Sequence, residues 1–159
     1  MDPISPVPAF VADMMLGKLA RWLRVLGWDV LYFNPVEDRE LIEIARRTSR
    51  IVLTRDTRLV KRRNAAPYLL VARNDPREQV AEVIRRYPPD RERFLSRCLL
   101  CNTPLMGALK REVENEVPDY VYHRETLYGR CPECRRVFWR GSHYGNMLER
   151  CLEYAEIAG

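Results

Sequence analysis

Two Cys-x-x-Cys pairs, Cys98/Cys101 and Cys131/Cys134, hold four of the five cysteines of this chain. Each pair can bend around one tetrahedral ion, and four thiolates close a structural Zn²⁺ site that keeps no open position for catalysis. A rubredoxin-like iron centre and a redox dithiol compete for the same spacing. Cys151 stands at helical spacing with Met147, Leu148 and Leu152, which reads as a core position rather than a ligand. Once the cysteines fill the site, His123 reads as surface, and His143 could assist binding near the acidic edge of the preceding domain.

Carboxylates supply a second chemistry. Asp13 and Asp56 each close a short apolar run, Asp75 stands in the matching place after a later run, and Asp38 opens a helical stretch with Glu37 beside it. If the runs are parallel strands, these groups gather at one edge of a sheet. Several carboxylates with no lysine between them repel one another unless a cation neutralises them. Mg²⁺ or Mn²⁺ suits that need, because hard ions take oxygen ligands and usually keep several waters. Each aspartate has a structural alternative, since Asp before a helix is a common N-cap. Asp29, at the opposite end of its strand, reads as structural.

The elements that must position these groups follow from pattern. Residues 9–13, 28–33, 50–54 and 68–72 read as strands. Between them, residues 14–26 place Met15, Leu16, Leu19, Leu23 and Leu26 near helical spacing, and Gly27 is placed to end that helix. A second helix starts at Asp38 with Leu41, Ile42 and Ala45 on one side. A short one follows Thr57, and Pro76 opens a fourth that reaches Arg86. Such alternation predicts an α/β fold, a parallel sheet flanked by helices, because each parallel connection needs a crossover of this length. An open sheet of that kind binds its ligand beyond the carboxyl ends of its strands.

The cysteines all lie beyond residue 97, and Pro88-Pro89 with the charged run Asp90 to Arg93 marks a linker before them. The expected organisation is a disordered start over residues 1–8, an α/β domain over 9–90, and a zinc ribbon with a C-terminal helix over 91–159. Apolar residues are 47% and charged residues 31% of the chain, which excludes a disordered tail or a collagen-like repeat. No apolar run is long enough for a membrane span, and the Met-Asp-Pro opening lacks the order of a signal peptide. The expected location is therefore the cytoplasm.

Only Lys18, Lys61 and Lys110 among the 27 basic residues are lysines, and the rest are arginines. Arginine grips phosphate through a planar fork, so this basic excess fits nucleic acid, although codon bias produces the same composition. Arg46, Arg47, Arg50, Arg55, Arg58, Lys61, Arg62 and Arg63 surround Asp56 in the sequence with no other acid among them. Lys18 and Arg21 on the first helix join them as candidate nucleic-acid contacts. In the ribbon, Arg135, Arg136, Trp139 and Arg140 combine cations with an aromatic that can stack on an unpaired base. Aromatics are equally needed to build the core of so small a module.

The stretch from Ala12 through Asp13-Met14-Met15-Leu16-Gly17-Lys18 to Arg24, then Asp38-Arg39-Glu40-Leu41, then Leu53-Thr54-Arg55-Asp56, resembles the Mut-seven C-terminal RNase family, a branch of the PIN-like nucleases. The segment from Cys98 to His143, with Arg140-Gly141-Ser142-His143-Tyr144, is similar to the zinc ribbon of that family. The resemblance implies a PIN-like α/β fold and a metal-dependent endoribonuclease. It implies RNA as the partner; the ribbon's aromatics and cations point to single-stranded RNA, and the lack of a long apolar run to no membrane partner. Carried over by position, it makes Asp13, Asp38 and Asp56 the catalytic, Mg²⁺- or Mn²⁺-holding acids, with Asp75 as a weaker fourth. Where many related nucleases have Asp followed by Glu, this chain has Asp13-Met14, which puts a second metal in doubt. The rival readings are a non-catalytic RNA-binding protein on the same fold and a structure-specific DNA nuclease.

Overall fold

Phe10, Val11 and Ala12 are completely buried, and they form β1 (Phe10–Ala12), one of the two inner strands of a four-stranded parallel sheet. The computed structural model describes residues 7–61 and 66–157; for His143 and Ile157 it describes the backbone alone. The other strands are β2 (Val30–Tyr32), β3 (Ile51–Thr54) and β4 (Tyr68–Leu70), in the order β2-β1-β3-β4. Each strand is shorter than its apolar run. The chain leaves β1 at Asp13, whose carbonyl accepts the Leu16 N–H and starts a turn of 3-10 helix over Met14–Leu16.

Successive side chains of a strand point to opposite faces, and the sheet uses both. Phe10, Ala12 and Leu53 face α1 (Gly17–Val25) and α4 (Pro76–Arg86), joined by Leu19, Leu23, Val80 and Val83. Val11 and Val52 face α2 (Asp38–Arg47) and the short α3 (Thr57–Val60) through Leu41, Ala45 and Leu59. Phe10 stands edge-on to Trp28 and Tyr87, with ring centroids 5.6 and 5.5 Å away. The helix starts match expectation because their caps are local: Asp56 and Asp75 accept the backbone N–H two residues on. Gly27, at φ +89°, ends the first helix as expected; a Cβ there would meet the Arg93 carbonyl at 2.1 Å.

The second unit is a three-stranded antiparallel ribbon, β5 (Met106–Ala108), β6 (Tyr128–Arg130) and β7 (Val137–Trp139), with α5 (Asp119–Arg124) in the β5–β6 connection. Val113, Val117, Val121 and Tyr128 form its small core. The chain then returns. Helix α6 (Ser142–Ile157), which the sequence groups with the ribbon, lies along α4 and delivers Leu148, Cys151, Leu152 and Ala155 to the core of the first unit. Cys151 is thereby buried, as its spacing predicts.

Candidate functional site

The chain order reverses at β1, with β2 on one side and β3 on the other, so a switch-point crevice opens between the carboxyl ends of β1 and β3. Asp13 and Asp56 follow those two strand ends. The Asp13 amide continues the ladder by donating to the Leu53 carbonyl. Fully buried Thr54 joins the two acids: its hydroxyl donates to Asp13 Oδ2 at 2.7 Å and accepts the Asp56 N–H at 3.0 Å. Asp13 Oδ2 also accepts the Arg55 N–H at 3.0 Å, and Oδ1 accepts the Met15 N–H at 2.8 Å.

These bonds change the electrostatic expectation. Mutual repulsion is not the whole of it, because Asp13, Asp56 and Asp75 each accept a donor at their own helix start, whereas Asp38 is not a cap: Glu37 precedes α2 and makes no side-chain cap bond. A carboxylate offers about four acceptor positions. Three on Asp13 are taken, which leaves one, on Oδ1, for a cation. Asp56 accepts the Arg58 N–H at 2.8 Å, and that bond, with the Arg58 guanidinium beside it, holds its carboxyl below the usual range.

Asp38 is the first residue of α2 beyond β2, and Asp75 caps α4 beyond β4, so the four acids stand in the row Asp38, Asp13, Asp56, Asp75 along one edge. Neighbouring strands are about 4.8 Å apart, too far for four acids to touch one ion. No three carboxylates among the described residues come within 4.8 Å of one another. The row suits an ion held by one or two carboxylates and several waters, which is how Mg²⁺ commonly binds.

The basic run around Asp56 divides between opposite edges of the sheet. Helix α2 carries the chain about 15 Å back to the amino ends of the strands, so Arg46 and Arg47 in its last turn lie away from the acids. Arg50 is structural: it clasps Asp29 at 2.7 and 2.9 Å and donates to the Phe10 carbonyl. Arg55, Arg58 and Lys61 stay at the carboxyl edge, with Arg55 bonded to the Asn74 side chain and Arg58 exposed beside Asp56. Lys18 and Arg21 are exposed on α1. Arg62 and Arg63 lie outside the described residues, as does the His143 side chain. In the ribbon Arg135 and Arg136 are exposed, Trp139 packs against the small core, and Arg140 donates to the Phe94 carbonyl.

The four ribbon cysteines converge. Their Sγ atoms all lie within 4.8 Å of one another, close enough to hold one metal ion such as zinc. The two knuckles repeat one geometry: Cys101 N–H donates to Cys98 Sγ and Cys134 N–H to Cys131 Sγ, each at 3.4 Å. Asn102 and Arg135, next in chain, both take left-handed backbone, at φ 65° and 67°. Four thiols so close cannot all ionise without a cation. Backbone donation from Arg136 draws Cys134 down to about 7, whereas desolvation and its neighbouring thiols push Cys101 up to about 12.

Sequence reasoning missed what docks the quartet. Arg24, buried within the cationic stripe of α1, donates to the carbonyls of Leu99 at 2.9 Å, Leu100 at 3.1 Å and Val30 at 2.8 Å. Asn102 accepts the Val30 N–H at 2.9 Å and donates to Asp29 at 2.6 Å. The arginine surplus contained this residue, but nothing local distinguishes it from its exposed neighbours.

With this geometry in hand, the family model of the Mut7-C RNAse domain matches residues 8–151. The chain belongs to that family. No curated protein and no solved structure matches it.

Proposed function

We propose that this member of the Mut7-C RNAse domain family is a metal-dependent endoribonuclease that cleaves single-stranded RNA at the carboxyl edge of its sheet. The observation that carries the reading is the pair Asp13 and Asp56, on adjacent strands at the switch point and joined through Thr54. Asp13 and Asp56 would hold Mg²⁺ or Mn²⁺ directly and Asp38 through the ion's waters, and a divalent ion there supplies Lewis acidity toward a phosphodiester. Asp75, one strand further out, would reach the substrate's flank.

The chain's own contribution is orientation. Thr54 and the Arg55 N–H fix the Asp13 carboxylate, so that its remaining acceptor position faces outward without reorganisation. Arg58 and Arg55 set positive charge beside the acids where a phosphate would lie. The thiolate quartet is read as structural zinc within a PIN-like architecture, and unpaired thiols suit the reducing cytoplasm.

The test is cleavage of fluorescent single-stranded RNA, with and without Mg²⁺ or Mn²⁺, by wild type, Asp13→Asn and Asp56→Asn. Metal-dependent internal cleavage lost in both variants supports the reading. RNA that is bound but never cut assigns a non-catalytic RNA-binding protein, and preference for DNA flaps assigns a DNA nuclease.

A further inference from the structure

A trench runs between α1 and α6, away from the acids and toward the thiolate quartet. Its wider part, about 880 Å³, lies between the starts of α1 and α4 and the flank of α6, with Lys18, Trp22, Arg77, Arg150 and Tyr154 along it and Asp75 at its mouth. A second hollow of about 350 Å³ shares Lys18 and Trp22, adds Arg21, and reaches Leu99 of the first knuckle. The two are contiguous because residues 18, 21, 22 and 25 share one face of α1, and residues 144, 147, 150 and 154 share one face of α6.

We infer that this trench is a path for single-stranded RNA, leading from the acidic edge to the zinc module. The inference rests on the nuclease reading in taking RNA as the polyanion. The charge balance favours a phosphate chain. Lys18, Arg21, Arg77 and Arg150 have no ion-pair partner among the described residues, and only Asp75 and Glu153 oppose them in the lining. Asp75 already caps α4. Trp22, half-buried against the core, and the exposed Tyr154 offer rigid π-faces between those cations, the combination that binds unpaired bases without sequence preference. The volume falls within the range of sites that enclose a small ligand, about 300 to 1,000 Å³, so it accommodates nucleotides rather than a folded element. A role also follows for the Arg24 and Asn102 bonds, which hold the far wall in register with α1.

The test is binding of a fluorescein-labelled oligouridylate in magnesium-free buffer, followed by anisotropy over a range of salt concentrations. Arg77→Gln with Arg150→Gln should flatten the slope of log K against log salt by about 1.4, at roughly 0.7 per lost phosphate contact. Tyr154→Ala should weaken binding about tenfold while Tyr154→Phe binds like wild type, since stacking needs the ring and not the hydroxyl. Arg46→Gln with Arg47→Gln, at the opposite edge, should leave the slope unchanged. If the trench variants bind with wild-type slope and affinity, the inference falls, and another occupant such as a peptide must be sought. RNA held by the trench yet never cut in Mn²⁺ would overturn the nuclease reading and leave the path standing.

Discussion

Thr54 donates its hydroxyl to Asp13 at 2.7 Å from a fully buried position at the end of β3, so one strand positions the acid of its neighbour. Thr54→Val keeps the shape and removes the bond. It should lower stability by about 1 to 3 kcal/mol, because the Asp13 carboxylate and the Asp56 N–H both lose their partner. Metal-dependent cleavage should fall with it, and Thr54→Ser should restore both. Denaturant titration and the pH profile of cleavage read the two effects separately.

Asp13→Asn should also destabilise, by about 1 kcal/mol or more. An amide cannot accept on both sides as the carboxylate does, so either the Arg55 and Thr54 donors or the Met15 N–H would face an NH₂ group. Asp75→Asn, whose one bond is an ordinary cap, should leave the melting temperature nearly unchanged. Equal melting shifts for the two variants would deny Asp13 its three-donor setting.

The two knuckles share left-handed backbone at Asn102 and Arg135, but only Asn102 has a side chain bonded to the first unit. Arg135→Gly should therefore stabilise by about 1 kcal/mol, since glycine adopts that conformation without a Cβ penalty. Asn102→Gly should destabilise despite the same relief. Thermal melts of the zinc-loaded protein decide between them.

Asp29 sets part of the acid response. Burial alone would raise its pKa, but the Arg50 and Asn102 bonds outweigh that and hold it below the ordinary value of 3.8. The unfolded chain thus binds the proton more readily. This stabilisation is present above the ordinary carboxylate range and disappears as pH falls through the lower folded value. Asp29→Asn should lower stability near neutrality and flatten its dependence on pH below about 4. Chemical denaturation across that window checks it.

Native mass spectrometry should find one zinc per chain, lost on replacing any of Cys98, Cys101, Cys131 or Cys134 and retained on replacing Cys151. Zinc removal should expose the ribbon amides to hydrogen exchange before those of β1 and β3, which pair within the first sheet. Simultaneous loss of protection in both units would mean that the docking bonds of Arg24 and Asn102 make them one cooperative body.

Strand runs, helix periods, the caps at Asp13, Asp56 and Asp75, the Gly27 stop and the Cys-x-x-Cys knuckles were legible in the sequence, while Asp38, which could equally have been a cap, is not one. Each leaves its signature within a short stretch of chain, in residue type or in period, whatever distant contacts complete it. The order β2-β1-β3-β4 was not, nor was the return of α6 to α4, because those rest on contacts far apart in the chain that no local pattern records. The arginines show the same divide. Along the chain Arg46, Arg47, Arg50 and Arg55 form one run near Asp56, and Arg24 is one more cation on a helix. In three dimensions α2 carries two of that run to the far edge, Asp29 takes Arg50, and the first knuckle takes Arg24, some 75 residues from its Leu99 partner. Charge is a property of the residue, and is read directly; what it acts on depends on which strand lies beside which, and only the folded chain decides that.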